Sequence, residues 1–223
     1  MKEFELKNTD PEDIEDILVK VEDSFDIKFA DNELAHVQTF GEICDHIKNK
    51  IQLDHTDDCT TQQAFYKLRS SLISALQVDK EKITADSLLA DLLPRQIRKS
   101  KIKQIEQDLG FKLSLLRPAH YVTGFLVLLL LTSLVGLAFV WQFALAGLGL
   151  SIGGLWLATK TGNELDLKTV GQLAKKMTRE NYIKSRRNPK TYNDNEIEKV
   201  LTDWFSNDLV IDKSKLTREA RLT

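Results

Sequence analysis

The chain has 223 residues, with 31 Lys and Arg against 33 Asp and Glu, a formal charge of −2, two cysteines and four prolines. These numbers exclude a disulfide-stapled or collagen-like chain, and the slightly negative balance argues against a nucleic-acid binder. The average hides a segregation: residues 1–59 carry −11, 60–117 carry +5, 118–159 carry nothing, 160–190 carry +6 and 191–223 carry −2.

The first helix is announced by Asp10-Pro11-Glu12-Asp13: an N-cap, a proline at the first helical position, and acids that complement the helix dipole. Ile14, Ile17, Leu18, Val21 and Phe25 then recur at helical spacing, with Glu12, Asp13, Glu15, Asp16, Glu22 and Asp23 mainly off that stripe. Thr39-Phe40-Gly41-Glu42 is a capping box opening a short helix to about Lys50. Thr60-Thr61-Gln62-Gln63 opens another to Leu76, and Asn193–Glu196 starts a last one through Trp204 and Phe205.

Between His120 and Lys160 lie 39 residues without a charge. A bilayer crossing takes about 20 apolar residues, so the length predicts two spans, Tyr121–Val140 and Phe143–Thr159, turning at Trp141–Gln142. The basic flanks, Arg95 to Arg117 and Lys160 to Arg179, place both ends of this hairpin, and both termini, on the cytoplasmic side of an inner membrane. Tyr121, Trp141 and Trp156 are the expected interface aromatics. Gly149 and Gly153 are expected to pack the hairpin's own helices, the alternative being close approach of another membrane helix. No ionisable residue lies inside the spans, which argues against a proton or ion path.

Several segments resemble acyl carrier proteins. Asp13–Ile47 is similar to their second to fourth helices, with an acidic helix ending in E-x-x-F-D-I, a D-x-E turn and a helix opened by Thr and Gly. Ala64–Leu93 and Glu196–Leu222 both resemble the first helix and following loop: Leu76-Gln77-Val78-Asp79 with Ile83-Thr84 matches Leu209-Val210-Ile211-Asp212 with Leu216-Thr217. Lys101–Leu113 resembles a second helix, and Lys168–Met177 repeats the Thr-x-Gly-[Glu/Gln] opening.

The resemblance implies an all-α protein of two carrier-like four-helix bundles plus a two-helix transmembrane hairpin. Residues 10–52 plus 193–223 would form one bundle, circularly permuted or swapped between chains. Residues 60–117 plus 161–180 would form the other, with the hairpin 121–159 inserted and 181–192 as a basic surface linker. A working carrier needs a serine at the start of its second helix for the 4′-phosphopantetheine arm. Anchoring on Phe25 puts Pro11 there, and anchoring on Phe111 puts Ile97 there. Asp86-Ser87-Leu88 spells the modified tripeptide but falls about ten residues early, in a loop before Pro94.

Cys44, His46, His55 and Cys59 lack a standard zinc spacing. A phosphate loop, a G-x-S-x-G elbow and a nucleophile–base pair are all lacking, so no enzyme activity, cofactor or metal is expected. The expected function is a membrane-anchored, non-catalytic carrier-like adaptor. Its partners would be the bilayer and a cytoplasmic protein with a basic patch, from lipid or acyl-transfer metabolism, docked on Glu12, Asp13, Glu15, Asp16, Glu22 and Asp23. The alternatives are a true membrane-tethered carrier armed at Ser87 and a structural subunit of a membrane complex; self-association stays open.

Overall fold

The computed structural model describes residues 6–222. The chain is mostly helical: α1 (Pro11–Phe25), α2 (Phe40–Lys50), α3 (Thr60–Leu76), α4 (Leu89–Leu92), α5 (Arg98–Leu109), α6 (His120–Gly136), α7 (Trp141–Thr161), α8 (Val170–Glu180), α9 (Tyr182–Ser185) and α10 (Asp194–Asp208). Among the described residues, four two-residue strands join distant segments. β1 (Asp54–His55) pairs in parallel with β4 (Thr191–Tyr192), and β2 (Leu116–Arg117) antiparallel with β3 (Glu164–Leu165).

Start signals read from sequence act as expected at α1, α2 and α8. Asp10 accepts the Glu12 N–H at 3.1 Å. Thr39 and Glu42 form a reciprocal capping box, as do Thr169 and Gln172. At α3 the cap is supplied from elsewhere in the chain, as described below. The segment Asp31–His36, which includes the D-x-E turn, is a succession of turns; Asn32, at φ 61°, interrupts any helical run, and Glu33 turns back to accept the Ala30 N–H.

Outside the α6–α7 pair, the buried apolar side chains of the described residues form two clusters. One gathers α1 (Ile14, Ile17, Val21, Phe25), α2 (Phe40, Ile43, Ile47), α10 (Ile197, Leu201, Trp204, Phe205) and the segment after it (Ile211, Leu216, Leu222). The other gathers α3 (Ala64, Leu68, Leu72), α5 (Ile102, Ile105, Leu109), α8 (Val170, Leu173, Met177), the loop residue Ile83 and Leu89 at the start of α4. The apolar stripes of α1 and α10 therefore pack into the same cluster.

The two clusters reuse the same local devices. Gly41 N–H donates to the Arg218 carbonyl at 2.9 Å, Phe40 N–H to Ala220 and Leu222 N–H to Gln38. The matching bonds run from Gly171 to Ala85, Val170 to Ser87 and Leu89 to Lys168. A methyl group on Gly41 would sit 2.7 Å from the Arg218 carbonyl oxygen, and one on Gly171 would sit 2.9 Å from that of Ala85. Both glycines are thus required by backbone approach. After the helices that precede these loops, Gln77 (φ 56°) and Val210 (φ 55°) take the same left-handed conformation.

The clusters are tied by buried polar contacts around Tyr182 and Arg186. Residues 181–192 are therefore more than a surface linker: Tyr182 is 0% exposed and Arg186 1%. Burying a guanidinium is tolerable only when its donors are satisfied. Those of Arg186 reach Thr56 (2.6 Å), Thr60, Thr191 (3.2 Å) and the Asp58 carbonyl (3.4 Å). Tyr182 packs its ring on Phe25 at 4.8 Å and donates its hydroxyl to Glu196 at 3.1 Å.

α6 and α7 form an antiparallel pair. Only α7, at 21 residues, is long and apolar enough to cross a membrane among the described residues; α6 is apolar but has 17. The turn lies at 137–140, earlier than the expected Trp141–Gln142, because Gly136 is the weak helix former in this stretch while Trp141 and Gln142 carry no break signal and begin α7.

Candidate functional site

The expected docking residues lie on α1. Packing of Ile14, Ile17, Val21 and Phe25 into the first cluster turns the opposite side of the helix outward, and Glu12, Asp13, Glu15, Asp16 and Asp23 are exposed there. Glu12, Asp13, Glu15 and Asp16 make no ion pair among the described residues. Val19, 55% exposed, lies among them.

Glu22 behaves differently. It is half-buried, accepts the Phe29 N–H at 2.5 Å and meets Lys28 at 3.0 Å, and the Phe29 amide above all holds its carboxyl below the usual range. Its task is to close the chain after α1. Glu106 does the same after α5, accepting the Leu113 N–H at 2.7 Å. Sequence alone hides this role, because Glu22 reads as one more acid in the run.

That pairing also fixes how α1 and α5 correspond. Asp26 (φ 54°) and Gly110 (φ 79°) are the left-handed caps of the two helices, so Phe25 matches Leu109 rather than Phe111. Pro11 then stands opposite Arg95, not Ile97. Neither Pro11 nor Arg95 has a hydroxyl, and Arg95 pairs with Glu164 of β3 at 2.7 Å. Ser87 is turned to local bonding: its hydroxyl accepts the Thr84 N–H at 2.9 Å and donates to the Lys82 carbonyl at 3.1 Å. In the matching loop the same position is Ala220.

The basic shoulder before the hairpin is largely engaged with the hairpin's base. Arg98 is buried and donates to the carbonyls of Leu93 (2.9 Å) and Asn163 (2.5 Å), while Lys99 reaches the Thr161 carbonyl at 2.5 Å, where α7 leaves its last carbonyls unpaired. Arg117 lies 3.5 Å from Asp166. A methyl on Gly162 would come within 2.6 Å of the Arg117 carbonyl carbon, so the neck of the hairpin is closed backbone against backbone.

On the hairpin, Tyr121 and Trp141 are exposed at opposite ends of the pair, Tyr121 beside the N-terminus of α6 and Trp141 at the start of α7. Trp156, near the other end of α7, is exposed with Lys160 3.8 Å from its ring centroid. Gly149 and Gly153 do not pack the pair: nothing lies within 4 Å of a methyl placed on either. Gly147, against Ser133, and Gly154, against Leu126, take that part, together with buried Ala144, Ser151 and Ala158. These five recur in alternating steps of three and four residues, the spacing of a coiled-coil seam, and Gly149-x-x-x-Gly153 falls outside it.

The Cys and His residues are dispersed. Cys44 is in the first core, where burial pushes its thiol up to about 12, while Cys59 is exposed before α3. His46 meets Glu33 at 2.7 Å and His55 meets Asp57 at 3.2 Å. Among the described residues no three His, Cys, Asp or Glu gather as metal ligands would. Comparison of the chain with family models, curated proteins and solved structures gives no match.

Proposed function

We propose that the protein is a membrane-anchored, non-catalytic adaptor with two degenerate acyl-carrier-like bundles, docking a basic partner on the acidic face of α1. The observation that carries this reading is the set of four exposed carboxylates, Glu12, Asp13, Glu15 and Asp16, that have no ion pair among the described residues. A bare acidic surface of this kind favours a partner of opposite charge, chiefly by speeding encounter and fixing orientation.

The repeated loop contacts, the paired left-handed caps and the equivalent Glu22 and Glu106 support two related bundles, one assembled from α1, α2 and α10 and the other from α3, α5 and α8. The outward apolar surface of α6 and α7, with Phe125, Leu128, Phe143, Leu150 and Ile152 exposed, supports immersion of this pair in lipid as a two-pass anchor, with both bundles in the cytoplasm. Lack of a hydroxyl at Pro11 and Arg95, and the engagement of Ser87 in its own loop, favour an adaptor over a loaded carrier.

Intact-mass measurement after incubation with a phosphopantetheinyl transferase and coenzyme A tests the choice. An unchanged mass is expected; gain of one arm makes the protein a carrier. The outward-facing Gly149 and Gly153 favour a second reading, a subunit of a membrane complex held through α7.

A further inference from the structure

Between α8, α10 and the start of α3 lies a partly enclosed cleft of about 350 Å³. Four cations line it, Lys175, Arg179, Lys199 and Lys213, against two carboxylates, Glu196 and Asp203. Both carboxylates are already engaged: Asp203 pairs with Lys213, and Glu196 accepts the Thr60 N–H and the Tyr182 hydroxyl. The other three cations are less fully engaged. Lys175 and Lys199 make no ion pair among the described residues. Arg179 meets Glu180 through Nη2 at 3.1 Å and lies over the Trp204 ring at 5.2 Å, and its buried Nε has no hydrogen-bond partner among the described residues.

The ammonium groups of Lys175 and Lys199, with the part of Arg179 that lines the cleft, leave a surplus of positive charge there. Thr61, in the first turn of the 17-residue α3, also lines the cleft and adds a hydroxyl to it. We propose that this cleft binds a phosphate group. A phosphate carries more than one negative charge and several acceptor oxygens, which suits three cationic donors better than a monovalent carboxylate does. The volume takes a small phosphorylated molecule or the phosphate end of a larger one.

Cys59 also lines the cleft and is exposed, while Cys44, the other cysteine of the chain, is buried. The rate of Cys59 modification by a neutral maleimide therefore reports on the cleft, measured on the full chain in neutral detergent at constant ionic strength. Inorganic pyrophosphate is expected to slow modification saturably, by about fivefold or more, since a bound anion blocks access and disfavours the thiolate. A second arm compares the chain in bilayer discs of phosphatidylcholine with discs containing phosphatidylglycerol. Slowing by pyrophosphate identifies a free phosphate as ligand, and slowing by phosphatidylglycerol alone identifies a lipid headgroup. The double variant Lys175→Gln/Lys199→Gln, at two exposed positions, is expected to need about tenfold or more of the same phosphate source. A rate unchanged by either source, the same slowing by chloride, or full protection in the double variant would overturn the proposal.

Discussion

The Glu196 carboxylate of α10 accepts the Thr60 backbone N–H with both oxygens, at 3.0 and 3.1 Å. Thr60 begins α3, and Cys59 before it offers no side-chain cap, so the helix that organises the second cluster is capped by a residue of the first. Thr60 is completely buried, and without Glu196 its N–H has no water to turn to. Glu196→Ala is expected to lower stability by about 1–2 kcal/mol, the usual cost of losing an N-cap, and to separate the unfolding of α3 from that of α10. Hydrogen exchange of the two helices checks this: equal loss of protection in both contradicts the separation.

Val210 is a local source of strain. It follows α10 at φ 55°, where a β-branched residue is crowded, and its side chain is 82% exposed, so no burial compensates. Val210→Gly is expected to raise stability by about 1 kcal/mol, the steric relief less the freedom a glycine adds to the unfolded chain. Denaturant titration measures it, and an unchanged or lower midpoint contradicts it.

Glu33 gives a pH signature. Lys50 first, then the Ala30 amide and His46, hold its carboxyl at about 2, well below the ordinary 4.5. A carboxyl depressed on folding stabilises the turns around it above about pH 4.5, and that contribution is lost as pH falls toward 2. Carboxyl-carbon NMR is expected to show a Glu33 midpoint near 2, moving up in Lys50→Ala. A midpoint near 4.5 in the unmodified chain contradicts the geometry.

The neck of the hairpin separates two kinds of glycine. A methyl at Gly162 meets the backbone of Arg117 and Pro118 at 2.6–2.7 Å, whereas one at Gly153 meets nothing within 4 Å. Gly162→Ala is expected to cost about 1–3 kcal/mol and to open the β2–β3 pairing, while Gly153→Ala stays within about 0.5 kcal/mol. Thermal unfolding in detergent compares them; equal effects would contradict the close approach at the neck.

Much of this was legible in the residues because local rules carry it. Helix starts at Asp10, Thr39 and Thr169 are written in capping chemistry, and the apolar stripes of α1 and α10 announced that each lacked a cover. Tertiary roles were not legible. Arg186 sits in a basic, proline-containing run and reads as surface until Thr56, Thr60 and Thr191 are brought around it from distant segments. Glu22 looked like a docking acid because its partner amide, on Phe29, is a property of the turn and not of the helix. The choice between Gly147/Gly154 and Gly149/Gly153 turned on a seam phase that a run rich in small residues leaves undetermined. The cleft beside Arg179 joins residues more than a hundred positions apart, so no motif marks it.

The adaptor reading rests on the acidic face of α1, and charge reversal tests it most directly. Proteins recovered with the full chain from detergent-solubilised membranes are quantified for three forms: the unmodified chain, Glu12→Lys/Asp13→Lys/Glu15→Lys/Asp16→Lys, and a control reversing two exposed acids elsewhere, Asp79→Lys/Glu81→Lys. A specific partner is expected to be retained by the unmodified chain and the control and lost, by about tenfold or more, from the α1 variant. Equal recovery from all three forms would contradict it.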